Sequence, residues 1–83
     1  MTLPDNISKY RLSNLSETQK GHLAWRLDHK TSMGMLTACR FARGEFGDLT
    51  LVNIFQRAGQ SIHSAKIHSR KVVNFILGAK EYL

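Results

Sequence analysis

Between residues 50 and 79 the chain carries Arg57, Lys66, Arg70 and Lys71 and not one Asp or Glu. Fixed positive charge with no acid beside it in the sequence is chemistry for holding a polyanion, of which nucleic acid is the commonest. A helix face that is merely solvated mixes both signs. Interleaved with these cations stand Gln60, Ser61, His63, Ser64, Ile67 and Asn74, side chains able to meet base edges. Gln and Asn match adenine, Lys matches guanine, and Ile67 fits against a thymine methyl. Arg57, Arg70 and Lys71 suit phosphates, which supply affinity without choice of sequence.

Other chemistry has less to stand on. The six acids are scattered, with no close pair in an apolar frame that would raise one pKa for acid–base work. Cys39 lies ten residues from His29, and its spacing with Met35, Leu36 and Ala42 marks it as an inert thiol on a buried helix face. His63 and His68 are five apart, which sets them about 140° from each other around a helix. His22 and His29 lack a second close ligand, and neither CxxC nor HxxxH occurs, so no metal is expected. No glycine-rich loop is present to cradle a nucleotide phosphate, so no cofactor is expected either. The chain reads as non-catalytic.

The elements that must position the cations are helices. Leu51, Ile54, Phe55 and Ala58 recur at helical spacing, with Asp48 as the N-cap of that helix. Gly59 ends it in a left-handed turn, and Ser61 caps the next. Ile62, Ala65, Ser69, Val72 and Ile76 form one continuous inner seam, closed by Gly78. Upstream, Ser16 and Gln19 make a capping box, followed by the buried stripe Leu23, Ala24 and Leu27. Trp25 sits off that stripe and covers the edge of the core. Residues 28–34 break the helix, Thr31 or Ser32 caps a second one whose inward face is Met35, Leu36, Cys39 and Ala42, and Gly44 closes it. Phe46 folds inward as a plug. The fold class is all-α, a small domain of four helices within a range of three to five. Residues 1–15 form an irregular N-terminal arm pinned by Tyr10 and Leu12, residues 16–78 the helical domain, and residues 79–83 a C-terminal tail.

Composition agrees with that reading. Twelve Lys and Arg against six Asp and Glu give a net charge of +6 over 83 residues. A chain of this length makes one domain with a thin core. A 42% apolar content excludes wholesale disorder. One cysteine excludes an internal disulfide framework and suits a reducing, cytoplasmic compartment. The N-terminus lacks the apolar run of a signal peptide, and no stretch approaches the roughly 18 apolar residues of a membrane span, so no membrane partner is expected.

The stretch Ile54-Phe55-Gln56-Arg57-Ala58-Gly59-Gln60-Ser61, followed by Ser64, is similar to the I-A-x-x-A-G-V-S-x-x-T pattern of helix-turn-helix domains, versions of which occur in TetR-type regulators, recombinases and small phage regulators. The resemblance covers about residues 51–75 and implies a helix-turn-helix over 48–77, with helix 62–77 as the recognition helix. Three departures stand out: Phe55 where the family has a small residue, Ala65 where it has Val, Leu or Ile, and Gln60 where it has an apolar one. The first two exchange large for small across one contact and so conserve volume. The resemblance implies a non-catalytic double-stranded DNA-binding protein, a transcription regulator of bacterial or phage type. The Leu23/Leu27 and Met35/Cys39 helices are expected to contribute a homodimer interface. The alternative is a phage- or plasmid-type module that inhibits or recruits a host protein through its basic helical surface. RNA fits less well, because most of the few aromatic residues look internal and leave no stacking platform.

Overall fold

A computed structural model describes residues 5–75, and among them the chain is all-α, with four helices and no strand. They are α1 (Glu17–Lys30), α2 (Gly34–Ala42), α3 (Leu51–Arg57) and α4 (Ile62–Val73). α1 packs chiefly on α2 and α3 chiefly on α4, and α1 also meets α4 across the core. The domain is therefore two helical hairpins. Leu23 and Leu27 from the first, and Leu51, Ile54, Phe55, Ala65 and Val72 from the second, are fully buried in one cluster. None of the four helices is long and apolar enough to cross a membrane.

Local signals set most of the boundaries. Ser16 Oγ accepts from Gln19 N at 3.2 Å, and Gln19 Oε1 accepts from Ser16 N at 2.8 Å, the reciprocal pair that starts α1. The same Gln19 donates through Nε2 to Val73 O at 2.8 Å and so ties the start of α1 to the end of α4. Gly44 and Gly59 take φ of 76° and 98°. At both, the amides after the helix return to its last turn: Gly44 N to Phe41 O and Glu45 N to Arg40 O, Gly59 N to Gln56 O and Gln60 N to Phe55 O. These are paired Schellman closures, available at low cost only to a residue without Cβ. Phe46 is buried, as the inward plug required.

The arm is more firmly held than expected. It forms two 3-10 helices, Asp5–Lys9 and Leu12–Asn14, and buries Ile7, Leu12 and Leu15. Leu12 N donates to Leu49 O at 3.1 Å and Leu51 N to Tyr10 O at 2.9 Å, around an isolated bridge between Arg11 and Thr50. That bridge moves the start of α3. Thr50, not Asp48, is its N-cap, accepting from Asn53 N at 3.3 Å. Asp48 Oδ1 accepts instead from Ser13 N at 2.9 Å, and this backbone bond, with the Ser13 hydroxyl and Arg11 beside it, holds the carboxyl below its ordinary pKa.

α2 is rotated from the expected phase. Met35, Leu36, Cys39 and Ala42 face solvent, with Met35 71% and Leu36 59% exposed, while Gly34 and Thr37 are buried and Ala38 and Phe41 pack on the core. The cause is Gly34, whose backbone lies so close to α1 that a Cβ would coincide with the Leu27 carbonyl. That approach fixes which side of α2 meets α1. Cys39 is accordingly an exposed thiol rather than a buried one. Neither Thr31 nor Ser32 caps α2: Thr31 Oγ1 donates back to Leu27 O at 2.7 Å, and Met33 takes the cap position without a side-chain bond. Met33 N instead donates to Ala58 O at 3.1 Å, joining the bends of the two hairpins.

Candidate nucleic-acid interface

Ser61 starts α4, its Oγ accepting from Ser64 N at 3.2 Å. Ala65, Ser69 and Val72 then form the buried side, and Ser69 satisfies its hydroxyl by donating to Ala65 O at 2.7 Å. At 100° per residue, the opposite side is the row His63, Ile67, Lys71 and Asn74, all exposed. Ser64, Lys66 and Arg70 flank it, each half-buried. Gln60 is half-buried in the turn, and Arg57 ends α3 exposed. Every residue named from the sequence as a nucleic-acid contact thus reaches the surface.

Two expectations about α4 fail. Ile62 is 51% exposed and does not belong to the seam. It holds the first position of the helix, and side chains tilt toward the helix N-terminus, so Ile62 leans past the end of α4 rather than over the core. The helix also ends at Val73 with Asn74 as its C-cap, short of the expected close at Gly78. Phe75 leaves the helical path to bury its ring on His22, with centroids 4.2 Å apart and planes within 2°. Ile76 and Gly78 lie outside the described residues.

Charge is distributed unevenly. Lys20 lies 3.4 Å from Glu17, while Arg40 and Arg43 lie 3.1 Å and 3.6 Å from Glu45. Among the described residues, no acidic side chain comes within ion-pair distance of Arg57, Lys66, Arg70 or Lys71. Among the described residues, Lys20, Arg40 and Arg43 each have an acid within ion-pair distance, and the cations of α3 and α4 do not.

Behind α4 lies a polar cluster that the sequence reading overlooked. His22 and Arg26 are buried on α1, and Arg26 Nε donates to His22 Nε2 at 3.3 Å. Arg26 Nη1 donates to His68 Nδ1 on α4 at 3.4 Å, and the His68 ring stacks on Phe55 at 5.0 Å. Trp25 is half-buried and stacks on His22 and His29 at 5.6 and 5.0 Å, covering the edge of the core. In the sequence His22 and Arg26 stand at four-residue spacing alongside Leu23 and Leu27, which puts them on one side of a helix but does not mark them as buried. Cys39 and His29 do not form a pair, and among the described residues no group of three or more His, Cys, Asp or Glu is placed to hold a metal.

Burial first, then the charges of Arg26 and Lys71, hold the His68 pKa below the ordinary histidine value of 6.5. The unfolded chain therefore takes up a proton at higher pH than the folded one does, and stability falls as pH drops below 6.5. Urea midpoints should decline from pH 7.5 toward pH 5, and a His68→Gln variant should lose part of that slope. An unaltered slope in the variant would show that His68 is not the group responsible.

Comparison with known proteins finds no matching family model, curated protein or solved structure.

Proposed function

We propose that the chain binds double-stranded DNA without catalysis, with α4 as the helix that enters the major groove and α3 behind it as the first helix of a helix-turn-helix. The observation that carries this reading is the outward side of α4, which gathers Lys66, Arg70 and Lys71, with Arg57 at the end of α3, and no acid beside any of them. The left-handed turn at Gly59 and the cap at Ser61 are what a short bend between two such helices requires. Base edges would meet the N-terminal part, from Gln60 to Ile67, and phosphates would meet Arg57, Arg70 and Lys71. A small regulator of bacterial or phage type, working in the cytoplasm, fits this chemistry.

One short helix grips DNA weakly, and pairing of two copies doubles the contacts. Leu23 and Leu27 are spent in the core and cannot serve a dimer, but Met35, Leu36 and Cys39 stand outside it. That same face favours a second reading, in which the chain inhibits or recruits a host protein. Loss of binding to a host protein, with DNA binding intact, in a Leu36→Asp variant would support it.

Two substitutions test the first reading. Lys66→Ala should cost about 1–3 kcal/mol on the preferred site and relax choice there. Arg70→Ala should weaken all duplexes alike and reduce the salt dependence by about one phosphate contact. Fluorescence anisotropy across a salt series measures both. Wild-type affinity in both variants would remove α4 from the interface.

A further inference from the structure

The described residues expose large apolar side chains in two places: Met33, Met35 and Leu36 at α2, and Ile62 and Ile67 on α4. On α4, Ile67 stands among cations and amide or hydroxyl groups, and Ile62 lies five residues before it, about 140° around the helix and at its N-terminal end. Ile67, 40% exposed, is at the centre of the outward row, one turn from both His63 and Lys71. Ile62, 51% exposed, leans past the helix start, the end that goes deepest into a groove. Neither position gains from being isoleucine in water. A β-branched residue is a poorer helix former than Lys, Gln or Ala, and its exposed methyls order solvent to no benefit.

What a β-branched side chain offers is stiffness. With χ1 largely confined to one rotamer in a helix, its terminal methyls stand at a fixed place. The major-groove edges of the four standard bases carry one apolar group, the C5 methyl of thymine. From this we infer that α4 selects thymine-bearing steps by packing Ile62 and Ile67 against those methyls, while Lys66, Arg70, Lys71 and Arg57 hold the backbone on either side. The inference rests on the duplex-binding reading and adds to it the feature of DNA that is read. Positive charge commits this surface to a polyanion, and the two isoleucines commit it to an apolar mark within one.

The test compares an alternating dA·dT duplex with an alternating dA·dU duplex, which lacks only the thymine methyls. Each methyl buried against isoleucine should contribute about fourfold in affinity. Wild-type protein should therefore bind the dA·dU duplex at least about fourfold more weakly. In Ile62→Ala/Ile67→Ala the affinity for the dA·dT duplex should fall to about that for the dA·dU duplex, so that the difference shrinks to near unity. Both positions are exposed, and an unaltered melting temperature would confirm that the variant is folded. Equal binding of the two duplexes by wild type overturns the inference and leaves duplex binding standing. A dA·dU penalty that persists in the double variant also overturns it, because some other group would then be reading the methyl. No binding to either duplex at low salt overturns the functional reading itself, and this inference with it.

Discussion

Phe55→Ala should destabilise the domain by about 3–5 kcal/mol, a large share of what a chain of this size possesses. The ring is fully buried, belongs to the cluster that holds both hairpins, and stacks on His68 of α4 at 5.0 Å. Truncation leaves a cavity that the short α3 and the fixed Gly59 turn cannot collapse to fill. Ala65, also fully buried, lies one turn before His68, so Ala65→Leu alone should overpack at about 1–3 kcal/mol. Combining the two supplies leucine where the ring was removed, and the double variant should be more stable than the summed losses by about 1 kcal/mol or more. Denaturant titration of the four proteins gives the coupling. Strict additivity would show that Phe55 and Ala65 do not share a contact, and the resemblance to helix-turn-helix packing would lose its physical basis.

Gly34→Ala should also be severe, and its sign is what makes it informative. Within an ordinary helix, alanine in place of glycine gains about 1 kcal/mol. Here the new Cβ would fall on the Leu27 carbonyl and within 2.6 Å of Thr31 Oγ1. A carbonyl cannot rotate away, so α2 must withdraw from α1, and Thr37, Ala38 and Phe41 withdraw with it. A loss of at least about 3 kcal/mol is expected, the upper end for overpacking. A chemical melt decides the matter: a variant as stable as wild type would mean that α1 and α2 do not approach so closely.

These two residues also show what the sequence displays and what it conceals. Ser16 with Gln19, Gly44, Gly59 and Ser61 are local devices, completed within a few residues, and each is legible as letters. The hairpin of α3 and α4 is therefore placed correctly, to within two residues at its start. The phase of α2 was not legible. Its inward side is made by Gly34 and Thr37, which give no hydrophobic signal, with Ala38 and Phe41 only partly buried beside them, while the exposed Met35 and Leu36 imitate a core stripe. Ile62 misled in the same way, because spacing alone cannot tell a seam residue from one leaning off the helix end. The cations of α4 were legible as an absence of acids over residues 50–79, and the structure adds that no acid from another element comes within ion-pair distance of them among the described residues. His22 and Arg26 could not be recognised as a buried pair, since their partners His68 and Phe75 arrive from the far end of the chain.

The bond from Met33 N to Ala58 O puts a bound on the internal motion of this small domain. Both groups sit in bends, where amides usually trade hydrogen with water through small local openings. Met33 differs in that its partner carbonyl belongs to the opposite hairpin, on the buried Ala58. Parting of the two hairpins breaks this bond, so the exchange rate at Met33 sets an upper limit on how often the two halves separate.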